Sequence, residues 1–209
     1  MNLESIYQKL QIQDMNQMQK STYTATENEN DVILLSPTGS GKTLAFLFPV
    51  LRNLHSDVSG IQAMILVPAR ELALQIEQVF KAMGTDFKIS ICYGGHDKKI
   101  EINNFREAPA LLIGTPGRIA YHLRNNNFDP STIKTLVLDE FDKALELGFE
   151  EDMNFIIEEL ENCSQRILTS ATAMDKIPDF VGLQNEKTIN FLKIHDSKPN
   201  IQLKKVITT

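Results

Sequence analysis

Eight consecutive residues, Ser36-Pro37-Thr38-Gly39-Ser40-Gly41-Lys42-Thr43, join a short apolar run at 32–35 to a stretch with helical character. Glycines at 39 and 41 let the main chain turn tightly and bring its N–H groups against an anion. The helix that follows would present its positive end to the same place. A lysine directly after such a loop reaches the β and γ phosphates of a nucleoside triphosphate, and the next hydroxyl, Thr43, is suited to hold Mg²⁺. The general pattern begins with glycine, whereas Ser36 stands there, so the match fails at that residue and is intact over 39–43. Without its flanks the segment would read as a Gly/Ser turn before an exposed lysine, and the strand and helix on either side favour phosphate binding. Ser36, Thr38, Gly39, Ser40, Gly41, Lys42 and Thr43 are the expected nucleotide contacts.

A phosphate loop needs a second element to hold the metal and place the attacking water. The apolar run 134–138 ends in Asp139-Glu140-Phe141-Asp142. Carboxylates at the carboxyl end of a parallel strand stand at the crevice where such sheets bind ligands. Asp139 is expected on Mg²⁺, and Glu140 is expected to orient or deprotonate the hydrolytic water, so Lys42, Asp139 and Glu140 form the catalytic set. A further run, 166–169, leads into Ser170-Ala171-Thr172, whose hydroxyls could meet the acidic cluster. Alone, either short block is a weak signal, because surface acidic clusters are common. Their place at strand ends after a phosphate loop makes them informative.

These residues need a scaffold, and the chain reads as one. Short apolar runs at 32–35, 63–67, 88–92, 110–113, 135–138, 166–169 and 188–192 alternate with helical stretches at 43–54, 70–83, 117–124 and 151–160. Alternation of this kind predicts βαβ units and a parallel sheet, and near-continuous apolar strands predict helices on both faces. In the last helix Met153, Ile156, Ile157 and Leu160 form the inward stripe, while Glu151, Asp152, Glu158, Glu159 and Glu161 read as a solvated face. Residues 3–10 and 16–26 predict two helices ahead of the first strand. A chain of 209 residues, 42% apolar and 23% charged, is long enough for one such core and is balanced like a globular domain. No apolar run approaches a membrane span, so no membrane partner is expected. The net charge of −6 gives no support to a protein that coats nucleic acid through a global positive field, although a local phosphate-binding surface stays open. Cys92 and Cys163 lie outside any metal or redox spacing and read as small apolar side chains in a reducing, cytoplasmic setting. The histidines at 55, 96, 122 and 195 are scattered, which predicts no zinc site.

Taken together and in order, the blocks resemble the DEAD-box RNA helicase family. They are Met18-Gln19, the phosphate loop, Pro68-Ala69-Arg70-Glu71-Leu72, Gly94-Gly95, Thr115-Pro116-Gly117-Arg118, Asp139-Glu140-Phe141-Asp142 and Ser170-Ala171-Thr172. The resemblance implies an α/β, RecA-like P-loop domain with a central, mostly parallel sheet and helices on both faces. It divides the chain into an adenine-recognition segment (1–30), the ATP-binding lobe (31–198) and the start of a linker (199–209). It implies that Gln19 reads the adenine edge, and that ATP and Mg²⁺ are the cofactors. Arg70, Gly94, Gly95, Thr115, Gly117 and Arg118 would line a groove for the RNA sugar–phosphate backbone, without sequence readout. Asp142, Ser170 and Thr172 would couple the two sites.

Several positions depart from the family pattern. Ile12 stands where an aromatic residue commonly stacks on adenine, Met15-Asn16 replaces Pro-Thr, Ala69 replaces a threonine, and Phe141 replaces alanine. None removes a phosphate or metal ligand. No cluster of aromatics accompanies the groove residues, so base stacking is not expected.

In the family a second RecA-like lobe supplies arginines to the γ-phosphate and completes the RNA groove. Only 37 of the 209 residues follow Thr172, and no His-Arg-x-Gly-Arg-like block is among them. The chain is therefore expected to behave as a monomeric lobe that binds nucleotide weakly and does not unwind RNA by itself, unwinding short duplexes only with the second lobe. Two other readings remain: a different P-loop NTPase, and a non-enzymatic RNA-binding scaffold. Neither an LSGGQ-like block nor an Asn-Lys-x-Asp guanine reader occurs.

Overall fold

The apolar runs form strands, and their pairings in the sheet are all parallel. The computed structural model describes residues 3–28, 31–174 and 176–192, so the expected linker at 199–209 lies outside the described residues. Seven strands, β1 (Val32–Leu35), β2 (Ala63–Leu66), β3 (Ile89–Cys92), β4 (Leu111–Gly114), β5 (Thr135–Leu138), β6 (Gln165–Ser170) and β7 (Lys187–Asn190), lie in the order β3-β4-β2-β5-β6-β1-β7. Pairing is parallel throughout: Leu66 stands beside Gly114 on one side and Leu138 on the other, and Leu35 beside Ser170 and Asn190. Every strand therefore ends at the same edge of the sheet, which is where the candidate residues sit.

Eight helices are described: α1 (Leu3–Leu10), α2 (Gln17–Ala25), α3 (Lys42–Arg52), α4 (Arg70–Ala82), α5 (Lys98–Phe105), α6 (Pro116–Arg124), α7 (Phe141–Glu146) and α8 (Glu150–Glu159). Successive strand residues point to opposite faces. Leu112, Leu136, Leu138 and Leu168 pack with Ile119, Leu123, Ala144, Met153 and Ile156 from α6, α7 and α8. Ile65, Ile113, Val137 and Ile167 pack on the other face with Phe48, Ile76 and Phe80 from α3 and α4. Residues of β1, β2, β4 and β5 are buried throughout, as a sheet covered on both sides requires. Asp31, just ahead of β1, is buried and accepts from the amides of Arg166 (2.7 Å) and Gln184 (2.8 Å), pinning the starts of β6 and β7 beside it.

Two helices were not expected. The inward residues of α5 are Glu101 and Phe105, and Ile100 is half exposed, so the helix has no apolar stripe to read. Helix α7 has six residues, too few to show a period. Strand boundaries differ by one or two residues, and β7 ends at Asn190 rather than 192. Among the described residues, no helix is long and apolar enough to cross a membrane.

Candidate functional site

At the end of β1 the chain turns through Gly39 (φ 79°) and Gly41 (φ 92°), a left-handed conformation that side-chain-bearing residues avoid. A Cβ at Gly41 would also come within 2.9 Å of the Gln19 amide nitrogen. Helix α3 then starts at Lys42 with no side chain capping it, which leaves its first N–H groups for an anion. In the structure the loop is closed on itself: the Lys42 ammonium donates to the Ser36 carbonyl (2.6 Å) and Ser36 Oγ to Ser40 Oγ (2.7 Å). Burial pushes the Lys42 pKa down, against the opposing charges of Asp139, Glu140 and Asp142.

Asn16 caps α2. Its carboxamide oxygen accepts from Gln19 N (2.9 Å), while Gln19 Oε1 accepts from Asn16 N (2.8 Å), a reciprocal capping box. Gln19 Nε2 donates to the Gly41 carbonyl (3.2 Å), and Asn16 Nδ2 donates to that of Ser40 (3.3 Å). Asn16 in place of threonine thus keeps the cap and adds a bond to the loop. Each end of the Gln19 amide retains one free valence, one donor and one acceptor, which is what an adenine edge needs. Ile12 is half-buried against the α3–α4 side of the core and presents no ring.

The acidic centre adjoins this loop through β6. Ser36 N donates to Ser170 O (3.0 Å), and Thr169 Oγ1 donates to Asp139 Oδ1 (2.6 Å) while accepting from Glu140 N (3.1 Å). Burial pushes the Asp139 carboxyl up to about 6, against the Thr169 hydrogen bond and the Lys42 charge. Glu140 stands at φ 49°, a turn that starts α7 and leaves its side chain half-buried. Thr172 Oγ1 donates to Asp142 Oδ2 (2.9 Å), and Ser170 Oγ donates to Thr172 O (2.7 Å). Asp142 Oδ1 is buried without a hydrogen-bond partner. A buried carboxylate opposed by the charge of one lysine, with a hydroxyl at Thr43 in the first turn of α3, is a hard oxygen donor set that fits Mg²⁺. Sequence reading missed Thr169; the hydroxyl-bearing residue ending the strand before Ser170 was its signal. Phe141 is fully buried and packs near Phe180, with ring centroids 6.4 Å apart, so the larger side chain fills core rather than the site.

Beside the acidic centre, over β2 and β4, runs a groove of about 550 Å³ bordered by Arg70, Gly94, Thr115, Gly117 and Arg118, together with Lys98, Tyr121 and Phe149. Gly95 (φ 88°) follows Gly94 in the same loop without bordering the groove. Helices α4 and α6 start here behind Ala69 and Thr115, and neither of these residues caps its helix with a side chain. The first N–H groups of α4 therefore accompany the groove, while α6 offers only that of Gly117, since Pro116 has none and Arg118 N donates to Thr115 O (3.0 Å). Arg70 is exposed and bonds only its neighbour Glu71 (2.7 Å). Two aromatic residues, Tyr121 and Phe149, also border the groove, and the Lys98 ammonium stands 3.9 Å over the Tyr121 ring.

Arg118 is placed differently from its neighbours. Its side chain is 9% exposed, Nη2 donates to the His96 carbonyl (3.0 Å), and Nη1 lies 3.5 Å from Glu101 Oε2. That last contact is ionic but outside hydrogen-bond geometry, which leaves Nη1 buried and unbonded. Glu101, fully buried on α5, also accepts from Tyr93 N (3.2 Å) and meets His96 Nδ1 (3.0 Å) and His122 Nε2 (2.7 Å). Burial pushes the Glu101 carboxyl up, but the His122 and His96 hydrogen bonds and the Arg118 charge outweigh it and hold it below its ordinary value. Histidines that look scattered in sequence thus converge on one carboxylate. Cys92, Glu101 and His122 place ligand-type atoms within 4.8 Å of one another. Asn127 Nδ2 faces His122 Nδ1 (2.9 Å), and the Arg118 guanidinium brings a permanent positive charge to this cluster. A second cleft of about 500 Å³, bordered by Asn53, Gln62, Thr135 and Gln165, opens at the amino ends of the strands, away from these groups.

A family model for the DEAD/DEAH box helicase matches residues 16–180. ATP-dependent RNA helicase CshA of Limosilactobacillus reuteri is 38% identical over 162 residues, which cover 77% of this chain and 33% of that protein. ATP-dependent RNA helicase DBP4 of Yarrowia lipolytica is 40% identical over 173 residues, covering 79% and 23%. The crystal structure of a DEAD box protein from Methanococcus jannaschii superimposes with a TM-score of 0.82 at 28% identity, over 90% of this chain and 52% of that one. The chain thus spans a third or less of these two curated relatives. With its phosphate loop, acidic strand end and parallel RecA-like sheet matched in sequence and in shape, the chain belongs to the DEAD/DEAH box helicase family.

Proposed function

We propose that this chain is the nucleotide-binding lobe of an ATP-dependent RNA helicase, holding ATP at residues 36–43 and one RNA strand by its backbone across the neighbouring groove. The observation that carries the reading is convergence at one sheet edge: Ser36 bonds Ser170, and Thr169 bonds Asp139, so phosphate loop and acidic centre share one wall. The family's relatives are named as ATP-dependent RNA helicases, which agrees with this reading.

Each residue then has a task. The Lys42 ammonium exchanges the Ser36 carbonyl for the β and γ phosphates, and the N–H groups at the start of α3 take phosphate oxygens. Gln19 uses its free donor and acceptor on adenine, which selects ATP over GTP. Asp139 and Thr43 would hold Mg²⁺, which supplies charge neutralisation at the phosphates. Glu140 orients the water and takes its proton as the bond from the γ-phosphorus to the bridging oxygen breaks. Asp142, Ser170 and Thr172 link the acidic centre to β6. Arg70, the free N–H groups of α4 and the Gly117 N–H meet RNA phosphates, and no base is read.

A second RecA-like lobe completes the ATPase centre with arginines. Such a group contributes roughly 10³–10⁵ in rate, about 4–7 kcal/mol of barrier, in related phosphoryl transfer. Titration of residues 1–209 with a fluorescent ATP analogue and Mg²⁺ should give weak binding, displaced by ATP and not by GTP, and lost in Lys42→Ala. RNA-stimulated hydrolysis should need a chain extended by the second lobe. Preferential displacement by GTP would overturn the adenine assignment, and robust RNA-stimulated turnover by the monomeric lobe would overturn the division of labour.

A further inference from the structure

We propose that Glu101 and Arg118 form one buried positioning unit that fixes the shape of the RNA groove, and that Arg118 is not itself a phosphate ligand. The inference rests on the RNA-binding reading and assigns roles within it. Three observations carry it. The Arg118 guanidinium is turned into the protein, on the His96 carbonyl and against Glu101, whereas Arg70 on the same groove is exposed. Glu101 gathers contacts from two separate walls of the groove: Tyr93 N and His96 from the glycine loop, Arg118 and His122 from α6. Finally, Glu101 is fully buried, so its charge is balanced by this set and not by solvent.

The physical consequence is a groove whose two walls share one carboxylate. With that carboxylate in place, Gly94 and Gly95 are held between the anchored Tyr93 amide and the anchored His96 carbonyl. Their N–H groups, and that of Gly117 at the start of α6, are then set before RNA arrives, which spares the ordering that binding would otherwise require. Glutamine at 101 keeps the size and an acceptor for Tyr93 N but loses the charge facing Arg118. Lysine at 118 keeps the charge but cannot reproduce a planar fork that bonds the His96 carbonyl with one nitrogen and sets the other against Glu101.

The test is binding of a short labelled oligouridine over a range of salt concentrations, with amide hydrogen exchange on the same proteins. A residue that neutralises a phosphate contributes about 0.7 to the slope of log affinity against log salt for single strands. Arg70→Ala should lower the slope by about that amount. Arg118→Ala, Arg118→Lys and Glu101→Gln should each weaken binding by about threefold or more with the slope unchanged, and Arg118→Ala combined with Glu101→Gln should be no weaker than the worse single variant. Exchange at residues 93–96 should quicken in Glu101→Gln while β5 keeps its wild-type rates, which general loosening of the fold would not produce.

A slope lowered by about 0.7 in Arg118→Ala, or binding restored by Arg118→Lys, would make Arg118 a direct phosphate ligand and overturn the proposal. Unchanged exchange at residues 93–96 would overturn it too. If the wild-type chain bound no RNA at any salt, the RNA reading would fall, and exchange, which needs no RNA, would still decide whether the two residues act together.

Discussion

Asp139 offers the sharpest test, because replacing it should strengthen the fold while disabling the site. Its carboxyl is buried, pushed from the ordinary 3.8 to about 6 chiefly by that burial, and stands beside Glu140. An unfolded chain ionises this group near 3.8, whereas the folded chain resists until about 6. The penalty is absent below the lower value, grows between the two, and is complete above the upper one. At 1.36 kcal/mol per pH unit, the gap corresponds to ~3 kcal/mol above pH 7 and ~1 kcal/mol at pH 4.5. An asparagine side chain at this position would have nearly the same shape, could still accept from Thr169, and would carry no charge to bury. Asp139→Asn should therefore raise stability by up to ~3 kcal/mol at pH 7.5, a rise of roughly 6–12 °C in Tm for a chain of this size. The gain should shrink as pH falls toward 4.5. Urea unfolding at a series of pH values, with a fluorescent nucleotide titration in Mg²⁺ alongside, reads both effects. The same variant should lose Mg²⁺-dependent nucleotide affinity. A gain that did not vary with pH, or a loss of stability at pH 7.5, would refute the view that Asp139 is held as an unwilling anion.

Further outcomes follow from the same geometry. In the wild type, Mg²⁺-dependent nucleotide affinity should fall as pH drops through about 6, because the metal needs the ionised carboxylate; Thr169→Val, by removing the donor to Asp139, should move that midpoint upward in a pH series of titrations. Ala69→Thr should supply the side-chain cap that α4 lacks and stabilise the protein by ~1 kcal/mol, seen as ~2–4 °C in a thermal melt. Phe141→Ala, which would restore the family's usual residue, should instead empty a buried volume beside Phe180 and destabilise by ~3–5 kcal/mol in urea unfolding.

What could be read from the sequence was whatever backbone periodicity or a contiguous block encodes. Strands buried on both faces announce themselves as apolar runs, and the phosphate loop is a local structure whose glycines sit where left-handed dihedrals are required. Asp139 was legible because a strand end fixes the position of the residue after it. The Asn16–Gln19 capping box was also legible in principle, since Asn-x-x-Gln ahead of a helix is its signature, but it was read only as a departure from Pro-Thr. Helix α5 was hidden because it turns a carboxylate inward, which erases amphipathic contrast. Glu101 was hidden with it, as its partners Tyr93, His96, Arg118 and His122 come from other segments. The direction of the Arg118 guanidinium could not be read from a motif: the motif gives a residue type beside a groove, and the neighbours decide which way its charged end turns.

Strand order has a last implication. The proposed nucleotide residues follow β1, β5 and β6, and the groove residues follow β2, β3 and β4, so β2 and β5 meet where the two territories touch. There the ladder is unbroken, four residues deep and buried on both faces, and continues as Asp139 N donates to Leu66 O (2.9 Å). Such a seam is a stiff keel, since close-packed interiors yield little to strain. Flexing within this domain would therefore carry little strain from one candidate site to the other. On the reading proposed above, any coupling of the two sites would have to come from outside this seam, through a second body in contact with both.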